Sequence, residues 1–500
     1  MDNILTKSKY LIGLECPRYL WITFNQPEKI RKPTLAEEFK FKEGDKVGEL
    51  AKKLFPHGIN LPIDDYDENI KHTKKALIKK KPLFEAGMQF KNCFSRADIL
   101  VPVKDQWDII EVKSGTKVKD INIHDVSFQK FVYESYGLKI RKCFLMHLNK
   151  DYKKKGKLNL RKLFVKEDIT SEVKEVSKDI KESIEFIFKI MSLDKPPKAG
   201  ILTKKLFKDG NHDCLIEKCL ELSENHVFCL YRGGKLSCEL FESGVENIRD
   251  IPEDIKLNDK QGIQRNCEIK GIIHVDKDKI NDFLNKLKYP VYYLDFETFS
   301  NAIPMFNDLH PYFQVPFQFS LHVVRKESAK LEHYEFLYDG NGDPRKEFIL
   351  KLKKVLGNKG SIVVYNQSFE ITRLKELSEH FPKYKKWIDS ILDRIVDLYV
   401  PFRNFGYYNP KQHGSASIKK ILPALTEKSY ESMEIADGGT ASVEFFNITY
   451  NKCTKEQKKK VRENLLKYCE LDTLAEVLIV EKLKEIKVGC KVNVTFYCLF

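Results

Sequence analysis

The sequence predicts a multidomain α/β protein, and three observations lead there. The chain has 500 residues, more than one ordinary core organises, so about three domains are expected. Its composition, 42% hydrophobic and 32% charged, is that of folded globular domains rather than of a disordered chain. Short β-rich runs also alternate with segments of helical period in two separate stretches of the chain.

Residues 1 to about 30 read as a helix followed by a turn. Over 36–55, Val47, Leu50, Ala51 and Leu54 recur at helical spacing, and the turn Pro56-His57-Gly58 ends that helix. Residues 73–81 read as a further short helix. Strands follow at 83–90, 98–103 and 107–112, then a helix over 123–136 closed by Gly137, then a strand over 142–148. This order makes one domain of residues 1–165. A charged helix near 171–192, the pair Pro196-Pro197 and a cysteine-bearing stretch over 210–240 fall in a connecting region, 166–287. A second α/β domain covers 288–490, with strands at 291–295, 317–324 and 361–365 and helices at 368–379 and 457–487. Two antiparallel strands followed by alternating strands and helices predict a mixed sheet covered by helices.

Lys and Arg number 87 against 72 Asp and Glu, a net charge of +15, which suits a polyanionic partner such as nucleic acid. No apolar run approaches the length of a membrane span, and the N-terminus lacks a signal-peptide core, so a cytoplasmic protein without membrane association is expected. In that compartment the twelve cysteines are thiols or metal ligands rather than a disulfide framework.

The strongest chemical signal is Tyr-Tyr-Leu-Asp295-Phe-Glu297-Thr298. Positions two apart on a strand share a face, so Asp295 and Glu297 repel each other unless a cation lies between them, and a hard oxygen-binding ion, Mg²⁺ or Mn²⁺, answers that need. Two further segments add to it. Tyr365-Asn366-Gln-Ser-Phe369-Glu370 follows a buried strand and opens a helix, and Tyr468-Cys-Glu-Leu-Asp472 sets a phenol and a carboxylate on one helix face. Asp397 stands at another strand end, and Lys411, His413 and Lys419 are candidate phosphate contacts.

These three segments together resemble the DEDD-type 3′→5′ exonucleases of ribonuclease-H-like fold, in the subclass with tyrosine in the third motif. The resemblance covers about residues 288–490. It implies catalytic and metal-binding roles for Asp295, Glu297, Glu370 and Asp472, with Asn366 in the second motif, Asp397 at a secondary acidic position and Tyr468 orienting water. The implied reaction is in-line phosphodiester hydrolysis by two cations about 3.5–4 Å apart. Glu370 departs from the family's usual aspartate.

A second signal lies in Ser95-Arg96-Ala97-Asp98, then Glu111-Val112-Lys113, then Gln129-Lys-Phe-Val-Tyr133. Glu111 and Lys113 face one way on a strand, and Gln129 and Tyr133 share a helix face. Asp98 and Glu111 are a candidate pair of ligands for a divalent cation, with Lys113 to position the nucleophilic water. This pattern resembles the RecB-like branch of the PD-(D/E)XK nucleases, over about residues 1–165, and implies a restriction-endonuclease-like α/β core with Asp98, Glu111, Lys113, Gln129 and Tyr133 at its site. The histidine that many relatives carry on the first helix is absent, with Glu49 or Glu85 as substitutes. RecB-like relatives mostly process DNA, so DNA is favoured over RNA as partner, an inference by analogy. The two departures motivate an alternative: a nucleic-acid-binding or scaffold protein in which one or both acid sites no longer cut.

Some RecB-like nucleases hold a four-cysteine iron–sulfur cluster, and the surroundings of Cys16 resemble its N-terminal ligand. Cys214, Cys219 and Cys229, then Cys238, follow in the later region, with His212 nearby as a zinc ligand. The cofactor expected there is an iron–sulfur cluster or a zinc ion. Cys93, Cys143, Cys267, Cys453, Cys469, Cys490 and Cys498 show no ligand pattern.

Overall fold

The computed structural model describes residues 4–197 and 222–488. They fall into two units, one of Met1–Leu222 with Asn301–Phe313, the other of Ser223–Ser300 with Gln314–Phe500. Both are mixed α/β.

In the first unit the strands are β1 (Leu5–Thr6), β2 (Ile59–Asn60), β3 (Leu83–Phe90), β4 (Cys93–Val103), β5 (Gln106–Lys113), β6 (Ile140–Leu148) and β7 (Phe164–Asp168). They form one sheet in the order β2-β3-β4-β5-β6-β7, with β1 beside the start of β4. β3, β4 and β5 are an antiparallel meander, whereas β5 and β6 are parallel. Parallel neighbours need a crossover, supplied here by a helix. The helices are α1 (Lys7–Glu15), α2 (Pro17–Asn25), α3 (Leu35–Lys52), α4 (Tyr66–Leu77), α5 (Asp120–Tyr136), α6 (Leu160–Leu163), α7 (Thr170–Val176) and α8 (Ile180–Met191).

Local chemistry sets the helix ends. Cys16-Pro17 divides α1 from α2, because Pro17 lacks an N–H and takes the first helical position, where none is needed. Thr34 and Glu37 form a reciprocal capping box at the start of α3. The crossover α5 ends on Gly137, whose φ of 109° a side chain would disfavour.

Both faces of the sheet are covered. Tyr10, Phe128, Ile184 and Ile187 belong to one core, and Val47, Phe84, Ile110 and Phe144 to another. Ala302, from the segment Asn301–Phe313, is fully buried in the second core. That segment is held by the Ala302 N–H, which donates to Glu43 Oε2 at 3.0 Å, and by the Tyr312 hydroxyl, which donates to the Ser114 carbonyl at 2.9 Å.

In the second unit the strands are β8 (His274–Val275), β9 (Val291–Phe299), β10 (Val315–Val324), β11 (Glu332–Leu337), β12 (Ile362–Val364), β13 (Ile395–Asp397) and β14 (Tyr407–Tyr408). The main sheet runs β11-β10-β9-β12-β13, and β8 pairs with β14 apart from it. β9, β10 and β11 are antiparallel, while β12 and β13 run parallel to β9. The helices are α9 (Gly234–Glu242), α10 (Asp259–Lys270), α11 (Lys277–Leu284), α12 (Arg345–Val355), α13 (Ser368–His380), α14 (Lys385–Leu392), α15 (Tyr399–Arg403), α16 (Ile418–Leu425), α17 (Gly438–Tyr450) and α18 (Lys455–Val488). The long α18 packs on β9 and β10. It is tied to β10 where Gln318 Nε2 donates to the Leu465 carbonyl at 2.8 Å, a bond buried from water.

Aromatic packing seats α17. The Phe317 and Phe445 rings stack with centroids 3.7 Å apart, and Phe299 packs beside them. The stretch read as a connecting region is shared out. α7 and α8 bury Val173, Ile180 and Ile187 in the core of the first unit, and 223–284 belongs to the second, where Val227, Leu230, Leu240, Ile248 and Ile251 make a small core of their own. Among the described residues no helix is long and apolar enough to cross a membrane.

Phe317→Ala is expected to destabilise the protein by about 3–5 kcal/mol, the cost of emptying a fully buried aromatic site, read as a lower urea midpoint. A loss under about 1 kcal/mol would contradict the packing described.

Candidate functional site

The central strand β9 presents Asp295 and Glu297 on one face, opposite Ser320 and Gln318 of β10. α18 lies across that face and carries Tyr468, Asp472 and Glu476 at successive i, i+4 positions. One carboxylate oxygen each of Asp295, Glu297 and Asp472 lies within 4.8 Å of the others. Glu370 enters from the first turn of α13.

The turn before α13 is built for this. Asn366 has φ of 69°, a conformation asparagine tolerates better than other side chains, and its N–H donates to Asp397 Oδ1 at 2.9 Å. The same Asp397 oxygen accepts from the Tyr399 N–H at 3.0 Å. Asp397 therefore positions the turn.

Glu297, Glu370, Asp472 and Glu476 are all buried. Burial, then the charge of Asp472, then that of Glu297, hold the Asp295 carboxyl well above the usual carboxylate range. Burial and Asp472 do the same to Glu297. Glu370 is pushed up to about 8 by burial, with Asp397 adding to it, and Asp472 to about 6 by burial. Burial pushes Glu476 far up, with Asp295, Glu370, Asp472 and Asp397 adding to it. Among the described residues, neither Glu370 Oε2 nor Glu476 Oε2 has a hydrogen-bond partner, although both atoms are buried.

Like charges crowded out of water are relieved by protons or by a cation. Orphaned buried oxygens and an all-carboxylate donor set suit a hard divalent ion, so these residues fit Mg²⁺ or Mn²⁺. Asp295, Glu297 and Asp472 would hold it, with Glu370 and Glu476 in reserve for a second.

The neighbouring groups are polar and basic. The Tyr430 hydroxyl donates to Asp472 Oδ1 at 2.7 Å, and the Tyr468 ring lies edge-on to that of Tyr430. Lys419 Nζ lies 5.1 Å from the centre of the Tyr468 ring, and its charge acts on Glu297 and Asp472. A cleft of roughly 600 Å³ is lined by Lys411, His413, Lys419, Lys420 and Tyr430, so the three basic candidates read from sequence share one wall. Glu476 and Tyr430 were missed. Glu476 was legible, one helical turn beyond Asp472; Tyr430 sits in a loop with no signal.

The first unit also gathers its sequence-read residues, on different terms. Glu111, almost wholly buried, is saturated by cationic and amide donors. Lys113 Nζ reaches Glu111 Oε1 at 2.7 Å, Lys7 Nζ reaches the same oxygen at 2.8 Å, and Gln129 Nε2 reaches Oε2 at 2.6 Å. Lys7 Nζ is also 3.7 Å from Asp98 Oδ1, and Asp98 Oδ2 accepts from the Val112 N–H at 2.7 Å. Asp125, which sequence reasoning did not name, bonds Lys113 at 2.7 Å and Gln129 at 2.9 Å.

Lys7 thus stands between the two acids where a divalent cation was expected, and the residues as arranged do not fit an ion unless the ammonium leaves. Tyr133 lies deeper, its hydroxyl donating to the Ala86 carbonyl and accepting from the Ala97 N–H, so it ties β3 to β4. Glu49 and Glu85 share Lys52, at 2.7 and 3.1 Å. They line a cleft of roughly 730 Å³ with Asp98, Glu111 and Lys113.

Cys16 caps α2, its sulfur accepting from the Tyr19 N–H at 3.4 Å. It belongs to the first unit and Cys229 to the second, where the Cys229 sulfur lies 3.4 Å from His226 Nε2. Cys214 and Cys219, like His212, lie outside the described residues. Among the described residues, the groups of three or more potential ligands contain no cysteine.

A family model described as "Domain of unknown function (DUF2779)" matches residues 292–417, which span Asp295, Glu297, Glu370 and Asp397 but stop short of Asp472. The chain is 30% identical over 225 residues to "Uncharacterized protein MG366" of Mycoplasma genitalium, covering 41% of this chain and 33% of that protein. It is 28% identical over 241 residues to the MG366 homolog of Mycoplasma pneumoniae, covering 44% and 34%. With "Uncharacterized protein UU173" of Ureaplasma parvum it shares 25% over 228 residues, covering 41% and 33%. The chain thus spans about a third of the length of these relatives.

Two outcomes follow. Glu370 is raised in the folded state from 4.5 to about 8, so the stability it contributes is full below pH 4.5 and is lost as pH rises through about 8. In chelator, the melting temperature should therefore fall across that window, and Mn²⁺ should restore it most at the alkaline end. A pH-independent gap between the two curves would count against the buried acids.

In an Asp295→Asn background, Lys7→Ala should cost about 2 kcal/mol, a charge-assisted hydrogen bond, and Mn²⁺ should return part of it. If Mn²⁺ stabilises the protein equally with Lys7 present, the ammonium does not exclude the ion.

Proposed function

We propose that this chain is a divalent-metal-dependent nuclease whose second unit removes nucleotides from the 3′ end of nucleic acid, DNA favoured. The single observation that carries this reading is the convergence of Asp295, Glu297 and Asp472 from a central strand and the last long helix. Support also comes from the resemblance to the DEDD exonucleases of ribonuclease-H-like fold. Lys411, Lys419 and Lys420 of one cleft, of which Lys419 acts on Glu297 and Asp472, suit a phosphate backbone, as does the net charge of +15.

When bound, Mg²⁺ or Mn²⁺ supplies a nucleophile at neutral pH and offsets charge on the phosphoryl group. Asp295, Glu297 and Asp472 would hold it, and Tyr430 fixes the Asp472 carboxylate by its 2.7 Å hydrogen bond. Tyr468, on the same helix face as Asp472, orients water. Lys419 draws the scissile phosphate toward the acids.

The first unit is proposed as a RecB-like PD-(D/E)XK domain. Lys7, bonded to Glu111 at 2.8 Å, favours a second reading of it, a nucleic-acid-binding domain whose acid centre does not cut.

With Mn²⁺, the protein should shorten 5′-labelled single strands progressively from the 3′ end. Asp295→Asn and Asp472→Asn should lower the rate by about 10³-fold or more, the cost of losing several kcal/mol of charge stabilisation. Tyr468→Phe should lower it by about 10²-fold, and Lys419→Ala should raise KM and flatten the salt dependence by about one phosphate contact. Strands left intact by the wild type, or cut equally by Asp295→Asn, would refute the assignment.

A further inference from the structure

The second unit gathers another set of ligands outside the carboxylate centre. His322 of β10 and His333 of β11 are directly opposite in the antiparallel register, and their ring centroids lie 4.4 Å apart. Glu470 approaches from α18, with Oε1 3.9 Å from His333 Nδ1. One ligand atom from each of the three lies within 4.8 Å of the other two.

What lifts this above a chance cluster is the state of the other ring nitrogens. His322 Nδ1 lies 2.8 Å from the Thr473 hydroxyl oxygen, and His333 Nε2 lies 2.9 Å from that of Ser320. The two hydroxyls are 2.6 Å apart, and the Thr473 hydroxyl reaches the Glu470 carbonyl at 3.2 Å. One proton assignment satisfies the whole chain. His322 donates to Thr473, His333 donates to Ser320, Ser320 donates to Thr473, and Thr473 donates to the Glu470 carbonyl. Both imidazoles are then neutral, with lone pairs on His322 Nε2 and His333 Nδ1. A histidine whose second nitrogen is fixed by an outer hydrogen bond is the usual state of a metal ligand.

We infer that His322, His333 and Glu470 form a transition-metal site, with Zn²⁺ the best-fitting ion. Two imidazoles and one carboxylate suit a borderline divalent ion, whereas Mg²⁺ prefers oxygen alone. The two rings lie 24° from parallel, so sharing one ion requires one of them to turn toward it. His322 is buried and Glu470 is half exposed, so the site opens to solvent on the Glu470 side. The site shares no ligand with the carboxylate centre and does not depend on the nuclease reading. It clamps β10 and β11 to the stretch of α18 that carries Asp472.

Co²⁺ serves as the probe, because ligation by two nitrogens and an oxygen in tetrahedral geometry gives visible absorption. The full chain, stripped with chelator and held in excess Mg²⁺, is titrated with Co²⁺ and then challenged with Zn²⁺. The expected result is a visible band that saturates at a single equivalent and is displaced by Zn²⁺. His333→Ala should abolish it, and Glu470→Gln, at an exposed position that leaves the fold alone, should weaken binding at least about tenfold. Thr473→Val, which keeps shape and removes the outer hydrogen bond, should weaken it by roughly 10–100-fold. Asp295→Asn should leave the band unchanged, which separates this site from the carboxylate centre. No band in the wild type, or a band that survives His333→Ala, overturns the proposal; a thiolate charge-transfer band would place the ion on cysteine instead.

Discussion

Burying several carboxylates against one another is costly, and the second unit is organised around doing so. Asp295 and Glu297 sit on its central strand and Asp472 and Glu476 on its longest helix, so each acid is placed by an element that cannot move without disrupting the core. The hydrogen bonds that hold α18 to β10 (Gln318 to Leu465, Thr473 to Ser320 and His322) keep the two halves in register. The aromatic stack of Phe317 on Phe445 seats α17 from the same strand. Hydrophobic packing supplies the stability that the repelling charges consume.

The first unit resolves the same electrostatic problem by the opposite means. Its acids, Asp98, Glu111 and Asp125, are met by the ammonium groups of Lys7 and Lys113 and the amide of Gln129, so two of the three negative charges are offset from within the chain. In the second unit, among the described residues, buried oxygens of Glu370 and Glu476 have no hydrogen-bond partner. The two acid centres thus differ in whether lysines lie within bonding distance of the buried carboxylates, and motif spacing alone does not reveal that difference.

Legibility in the sequence followed the range of the interactions. Strand β3 and the helix ending at Gly137 were readable because periodicity and a left-handed terminator are local. The acid pair on β9 and the Tyr468–Asp472 face were readable for the same reason, since strand alternation and helical spacing need only neighbours. The edge strand β11, with its mixed burial, and the helices over Arg345–Val355 and Gly438–Tyr450 went unread, as their boundaries come from tertiary packing. Lys7 is one lysine among many until β1 pairs with β4 and brings it to Glu111. Tyr430 likewise gains meaning only from the fold that carries it to Asp472.

The segment Asn301–Phe313 leaves the end of β9 and completes a core that otherwise belongs to residues before 222. Ala302 fills that core and satisfies Glu43, so the N-terminal stretch alone lacks part of its own interior. The polypeptide therefore passes from one unit to the other three times rather than once. No single crossover in the gene separates the two units intact, and an ancestral joining end to end would have required a later exchange of this loop. A substitution near residue 302 is therefore felt by the unit that does not carry the strand it follows.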